Sequence, residues 1–243
     1  MPTEVAPGVH RLGNEMVNFY LVEADGGLTL VDAGLPGFYG QLEALLRSRG
    51  KAVADIDVLL LTHAHGDHVG IAERVRQQGV PVRIHERDAE QARTAKNHPR
   101  EGGMLPYFRH GQTWRLLAMG MRNGAIKPVK IAEVEPLVEG GLDVPGRPRV
   151  IHTPGHSPGH VVFHFAEQGA LIAGDALCSW NPLTGRPGPQ IMPRAFASSV
   201  SEAQASLSRL EGIEAGVVLP GHGDPWTDGV ATLVARTREA PQS

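Results

Sequence analysis

The sequence predicts an α/β protein in which two half-sheets pack face to face, with helices on their outer sides. Three observations predict it. Short apolar runs alternate with amphipathic segments, the order strand–helix–strand recurs in both halves, and polar residues gather where strands end. A sheet must bury its apolar face against another layer, so this alternation settles into stacked layers.

Residues 17–22 and 28–31 read as strands, with a turn at Asp25-Gly26-Gly27 between them, because Asp-Gly between apolar runs is a hairpin signal. Residues 38–49 have helical spacing, with Leu42, Leu45 and Leu46 on one face and Gly50 as the stop. Residues 57–61 form a buried-type strand that runs into Thr62-His63-Ala64-His65-Gly66-Asp67-His68. A helix through Ile71, Val75 and Arg76 follows and ends at Gly79, and 80–84 is the next strand. Residues 86–135 hold Pro99, Gly102, Gly103, Pro106 and Gly111 plus one helical stretch over 113–121, and read as an insertion or lid. Strands resume at 149–152, 161–165 and 170–173; 201–210 is helical, 216–219 is a last core strand, and a helix over 229–238 closes a single domain spanning 1–243.

The two halves share a plan. A strand ends in Val31-Asp32-Ala33-Gly34, a helix crosses over, and the next strand delivers His63. A second strand ends in Leu171-Ile172-Ala173-Gly174-Asp175, a helix crosses over, and the next strand delivers His222. Both halves thereby place polar residues along one shared edge.

Composition narrows the partners. The formal net charge is −3 with no basic run, which argues against a nucleic-acid surface. No apolar stretch is long enough to span a bilayer, and the N-terminal residues lack the basic and apolar regions of a signal peptide. The single Cys178 rules out an internal disulfide and suits a reducing compartment. A cytoplasmic protein acting on a small molecule, with no membrane partner, is the expectation; the oligomeric state is left open.

The 12 histidines are not spread evenly. His63-x-His65-x-Asp67-His68 puts three imidazoles and a carboxylate directly after an apolar strand. Alternate residues of an extended segment point the same way, so His63 and His65 can share one metal while Asp67 and His68, on the following turn, face a neighbouring one. His156, in Thr153-Pro154-Gly155-His156-Ser157-Pro158-Gly159-His160, Asp175 after Gly174, and His222 between Gly221 and Gly223 each sit in a glycine turn. Taken singly, each of these three could be a turn cap instead. Imidazole and carboxylate donors without thiolate suit Zn²⁺, and also Fe or Mn. His160 reads as a hydrogen-bonding support. Tyr107, Phe108, Trp114 and Trp180 are candidates for lining a substrate pocket, with core packing as the alternative.

His63-x-His65-x-Asp67-His68 followed by His156, Asp175 and His222 resembles the ligand series of the metallo-β-lactamase superfamily. The resemblance runs from the Asp32 strand end to His222. It implies an αββα sandwich of two mixed β-sheets, with helices on both outer faces and two Zn²⁺ per chain at one edge. By the same resemblance His63, His65 and His156 hold one metal, Asp67, His68 and His222 hold the other, and Asp175 bridges them. Asp32 would support the site without touching metal.

Set against two divalent metals, the charges of Asp67, Asp175 and a bridging hydroxide leave roughly one net positive charge, which favours an anionic substrate and a developing oxyanion. A metal lowers the pKa of bound water to about 7, so the expected activity is hydrolysis of a small ester, thioester or lactone. Asp67 would orient the hydroxide or accept its proton.

Other branches of the superfamily fit less well. True β-lactamases lack a bridging aspartate like Asp175, and no basic arm marks a phosphodiesterase of nucleic acids. The acyl-homoserine lactonases carry a tyrosine between the bridging aspartate and the last histidine, which is absent here. The glutathione-binding helical region of glyoxalase II does not follow His222. A single-iron sulfur dioxygenase, an oxidoreductase with the same residues, is the alternative. A non-catalytic binding module would not need the full set.

Overall fold

The computed structural model describes residues 2–242. Strands β1 (Thr3–Ala6), β2 (Val9–Gly13), β3 (Asn18–Ala24) and β4 (Gly27–Val31) form an antiparallel meander. Strands β5 (Val58–Leu60), β6 (Val82–His85) and β7 (Glu135–Leu137) extend it in parallel, so the first sheet has seven strands in chain order. Strands β8 (Gly140–Gly141), β9 (Arg149–His152), β10 (Val161–Phe165) and β11 (Ala170–Gly174) belong to the second sheet. A small hairpin of β12 (Cys178–Trp180) and β13 (Pro187–Gln190) stands apart. With β14 (Val217–Pro220) the second sheet runs β14-β11-β10-β9-β8, and only its β11–β14 pair is parallel. The helices are α1 (Tyr39–Arg47), α2 (Ala72–Arg76), α3 (Glu86–Thr94), α4 (Gly111–Arg122), α5 (Val200–Ser206) and α6 (Val230–Glu239).

Strand periodicity divides the apolar residues among three layers. Side chains alternate across a strand, so Tyr20, Val22, Val31 and Leu60 meet Phe163, Phe165, Ile172 and Leu219 between the sheets. Their neighbours Phe19, Leu21, Leu30 and Leu59 face the other way, onto Leu42 and Leu46 of α1 and Val75 of α2. On the far side Val162, Leu171 and Val218 pack on Ala203 of α5 and Leu233 and Val234 of α6. Strands covered on both faces read as continuous apolar runs, which is the pattern at Val58-Leu59-Leu60-Leu61. The result is the expected αββα sandwich of mixed sheets. The predicted recurrence is present in three dimensions: β4–α1–β5 and β11–α5–β14 are each a helix crossing between parallel neighbours.

The segment 86–135, read from the sequence as an insertion or lid, contains regular structure. It opens with α3, which buries Asp88, Gln91 and Ala92 beside the sheet. This helix lacks an apolar stripe because two of its three buried residues are polar, so hydrophobic periodicity could not reveal it. Cys178 is fully buried, and burial pushes its thiol pKa up. Among the described residues no helix is long and apolar enough to cross a membrane.

Candidate metal centre

The ends of β5, β9, β11 and β14 converge on one edge of the sandwich. After β5 the chain is zipped onto the β4 end: the amide of Ala33 donates to His68 O, that of Gly70 to Gly34 O and that of Ile71 to Ala33 O. Asp32 sits at φ +60°, a left-handed conformation that a short polar residue tolerates better than most. It accepts from the Thr62 amide at 2.8 Å, from Thr62 Oγ1, and from His68 Nδ1 at 2.8 Å. Thr62 Oγ1 in turn lies 3.0 Å from His63 Nδ1. One aspartate therefore orients two imidazoles, directly and through a hydroxyl.

Three ring nitrogens form a triangle. His63 Nε2 and His65 Nδ1 are 3.1 Å apart, His65 Nδ1 and His156 Nε2 are 2.8 Å apart, and His156 Nε2 and His63 Nε2 are 3.1 Å apart. Tetrahedral zinc with Zn–N bonds of about 2.0–2.1 Å needs nitrogens about 3.3 Å apart, so the triangle is close to the required shape. A second group joins Asp67, His68 and His222, with His222 Nε2 at 3.4 Å from Asp67 Oδ2. Asp175 stands between the groups. Its Oδ2 is 3.2 Å from both His156 Nε2 and His222 Nε2, and its Oδ1 is 3.5 Å from His68 Nε2.

The donor set fits metal on its own chemistry. His68 Nε2 and Asp175 Oδ1 are buried and have no hydrogen-bond partner; leaving such groups unsatisfied is costly. Burial, reinforced by repulsion from the other imidazoles, holds His63 and His156 well below the usual histidine range. Burial likewise takes His65 down to about 4, against the pull of Asp67 and Asp175. These three rings are thus kept neutral, as metal ligation requires. Burial pushes His68 and His222 the same way, but Asp175 and Asp67, with Asp32 at His68, outweigh it and raise both. Burial alone would raise the Asp175 carboxyl, yet His222, His68 and His156 hold it well below the carboxylate range.

Backbone clearance is as specific as the side chains. A Cβ on Gly221 would fall 2.2 Å from Asp175 Oδ1 and 2.6 Å from His68 Cε1, so only glycine fits the turn before His222. His222 Nδ1 donates to Met16 O, which directs Nε2 inward. His160 Nε2 accepts the Asp175 amide at 3.0 Å while its Nδ1 meets Thr153 Oγ1, a support for the central aspartate.

Sequence reasoning missed the braces from α3. Asp88 accepts from Ser157 Oγ at 2.5 Å and from the Gly159 amide at 2.8 Å, clasping the His156 turn. Gln91 Nε2 donates to Ala64 O at 3.0 Å, inside the His63–His68 loop. Burial of Asp88 and Gln91 in an otherwise polar helix is visible only in three dimensions, so the sequence carried no signal for them.

A cleft of about 500 Å³ opens over the cluster, with His65, Asp67, His156, Asp175 and His222 at its floor. None of Tyr107, Phe108, Trp114 and Trp180, the expected pocket aromatics, lines it. Tyr107 packs with Leu183 and Ala195 in a small separate core. Phe108 and Trp114 lie against each other at the surface, ring centroids 5.3 Å apart. Trp180 borders a different groove beside Gly223. The register of α4 explains the exchange. It points Leu116, Met119 and Gly120 at the cleft and turns Trp114 away.

Comparison with known proteins agrees with this geometry. The sequence model of the metallo-beta-lactamase superfamily matches residues 12–222. A probable metallo-hydrolase of Bacillus subtilis, YflN, is 29% identical over 237 residues, covering 92% of this chain and 87% of its own. The metallo-beta-lactamase family protein TTHA1429 from Thermus thermophilus superposes with a TM-score of 0.69 at 28% identity, covering 97% of this chain and 79% of that one. TTHA1623, solved in a di-iron-bound form, does so with a TM-score of 0.61 at 30% identity, over 95% of this chain and 98% of that one. With its αββα layers and its converging histidines and aspartates, the chain belongs to the metallo-β-lactamase superfamily.

Proposed function

We propose that this chain is a hydrolase with two divalent metals, zinc by default, that adds water to the carbonyl of a small ester, thioester or lactone. The observation that carries the reading is the position of Asp175, a fully buried carboxylate shared by two groups of ring nitrogens. His63, His65 and His156 would hold one metal, Asp67, His68 and His222 the other, and Asp175 both. When bound, the metals would lower the pKa of water to about 7 and polarise the carbonyl.

The chain's own residues do the rest. Asp67 is the floor carboxylate with the more exposed side chain, 32% against 2% for Asp175. It lines the cleft, and its carboxylate accepts the proton released as water oxygen bonds to the carbonyl carbon. When the carbon–oxygen or carbon–sulfur bond breaks, that proton goes to the departing alcohol or thiol. Among the described residues no serine or cysteine lines the floor to act as nucleophile.

The relative in a di-iron-bound form supports two metals and keeps iron as a candidate identity. Elemental analysis of protein purified without chelator, run beside a panel of lactones, thioesters, esters, β-lactams and phosphodiesters, tests the reading. About two metals per chain and carbonyl-ester turnover are expected, lost with chelator and restored by zinc. One metal after zinc supplementation, iron-dependent oxygen uptake on a persulfide, or turnover of phosphodiesters alone would each overturn it.

A further inference from the structure

The wall of the cleft is apolar, and it is exposed. Leu117, Met121 and Ile126 line it, with 39, 58 and 72% of their surface open to solvent. They are three of the seven large hydrophobics exposed among the described residues; such clustering on one wall marks a contact surface, whereas scattered single residues would not. Leu116, Met119 and Phe196 continue the same surface inward. Leu117 and Met121 are four residues apart on α4 and so stack along one stripe of the helix. The two methionines give the wall a pliant lining that adapts to unbranched chains of different length.

Two cations stand in the same lining. Arg100 and Lys127 have no carboxylate within ion-pair distance among the described residues. The Arg100 guanidinium lies over the Phe196 ring, 5.8 Å from its centroid, and its charge lowers the pKa of His65 at the floor. The cleft thus combines an apolar wall, unpaired positive charge and a polar floor.

We infer that the substrate is an amphiphile: its carbonyl at the floor, an unbranched aliphatic chain along the α4 wall, and an oxyanion, carboxylate or phosphate, on Arg100 and Lys127. This rests on the hydrolase reading above for the carbonyl, though the wall and the cations stand without it. Hydrophobic burial of the chain explains why Leu117, Met121 and Ile126 are kept at the surface. The cations select against neutral chains of the same length.

Three measurements test it. With zinc-loaded protein, kcat/KM for p-nitrophenyl acetate, butyrate, hexanoate and octanoate should rise about two- to fourfold per added methylene. Met121→Ser with Ile126→Ser should flatten that series, and Leu105→Ser, more exposed still but off the wall, should leave it as it is. Next, a half-ester of adipic acid and a hexanoyl ester of a phosphorylated alcohol are compared with the neutral hexanoate. Whichever anion is preferred names the source, and Arg100→Gln with Lys127→Gln should remove about tenfold of the preference.

The third measurement does not depend on turnover. Calorimetric binding of decane-1-sulfonate should weaken about tenfold in each double variant, with circular dichroism and melting temperature unchanged. Ester turnover with a flat chain profile, and sulfonate binding that ignores both double variants, would overturn the amphiphile and leave the hydrolase standing. No turnover of any ester, with wall- and cation-dependent sulfonate binding, would overturn the hydrolase and leave the binding surface standing.

Discussion

Asp67 is the residue on which the proposed chemistry turns, and its surroundings separate its two roles. It touches His222 from the rim of the cluster, whereas the triangle of His63, His65 and His156 closes without it. Asp67→Asn is therefore expected to lower kcat by about 10²–10⁴-fold, the usual worth of a positioned acid–base group. At least one metal should stay bound to the histidine triangle. Elemental analysis beside steady-state kinetics checks it, and wild-type kcat with both metals present would remove Asp67 from the mechanism. The polar half of the site was readable from residues 63–68 because ligand spacing is a covalent property of the chain, and Asp175 and His222 were readable because each ends a strand beside glycine. The pocket aromatics were not readable. Which side of α4 meets the cleft depends on helix register against a distant loop, and Trp114 falls on the wrong side of it.

At the scale of elements, α3 ties two ligand loops together through polar contacts. Asp88 holds the His156 turn through Ser157 and Gly159, and Gln91 holds the His63–His68 loop through Ala64 O. Asp88→Ala would leave a buried hydroxyl and a buried amide without their charged acceptor. Hydrogen bonds to charged groups are each worth about 1.5–3 kcal/mol, so a loss near ~3 kcal/mol, about 6–12 °C in melting temperature for a chain of this size, is expected. The effect carries a pH signature. Burial raises the Asp88 carboxyl, but bonds from His98, Ser157 and Gly159 lower it further, to a net value below the ordinary one. The unfolded chain then binds the proton more readily than the folded one. The Asp88 contribution is complete above the unfolded pKa of about 4 and is lost as pH falls through the folded value. His98 is raised by the same contact, so its share is complete below about 6.5 and fades as pH climbs through its folded value. Thermal melts of wild type and variant should differ most between those limits, and the gap should narrow as pH falls below about 4 and through the folded value. A gap constant across that range would show that Asp88 acts by packing alone. No hydrophobic stripe announces this helix, which is why the sequence presents 86–94 as part of a loop-like insertion.

The whole molecule is two similar halves joined at the candidate metal centre. Each half runs strand, helix, parallel strand, and this recurrence was legible because the apolar runs and the terminal Asp32 and Asp175 repeat in order. The halves use their aspartates differently: Asp32 bonds Thr62 and His68, while Asp175 sits among the ring nitrogens. The sheets already share the apolar layer between them, and direct bonds such as Val161 N to Thr62 O and Asn18 N to Gly221 O cross at the edge. His63, His65, Asp67 and His68 come from the first half and His156, Asp175 and His222 from the second, so each proposed metal takes ligands from both. Metal binding would thus act as a clamp across the interlayer core as well as a cofactor. A ligand that binds only the folded state stabilises by about 4 kcal/mol at roughly a thousand times its dissociation constant, and for a chain of this length that is roughly 8–16 °C. Removing metal with chelator should lower the melting temperature by about that amount while the far-ultraviolet circular dichroism at about 25 °C stays native, because the interlayer core persists without metal. Readdition of zinc should restore the melt. Replacing His222 by Ala, which takes a ligand from one half only, should shrink the zinc-dependent shift, and an undiminished shift in that variant would refute the clamp.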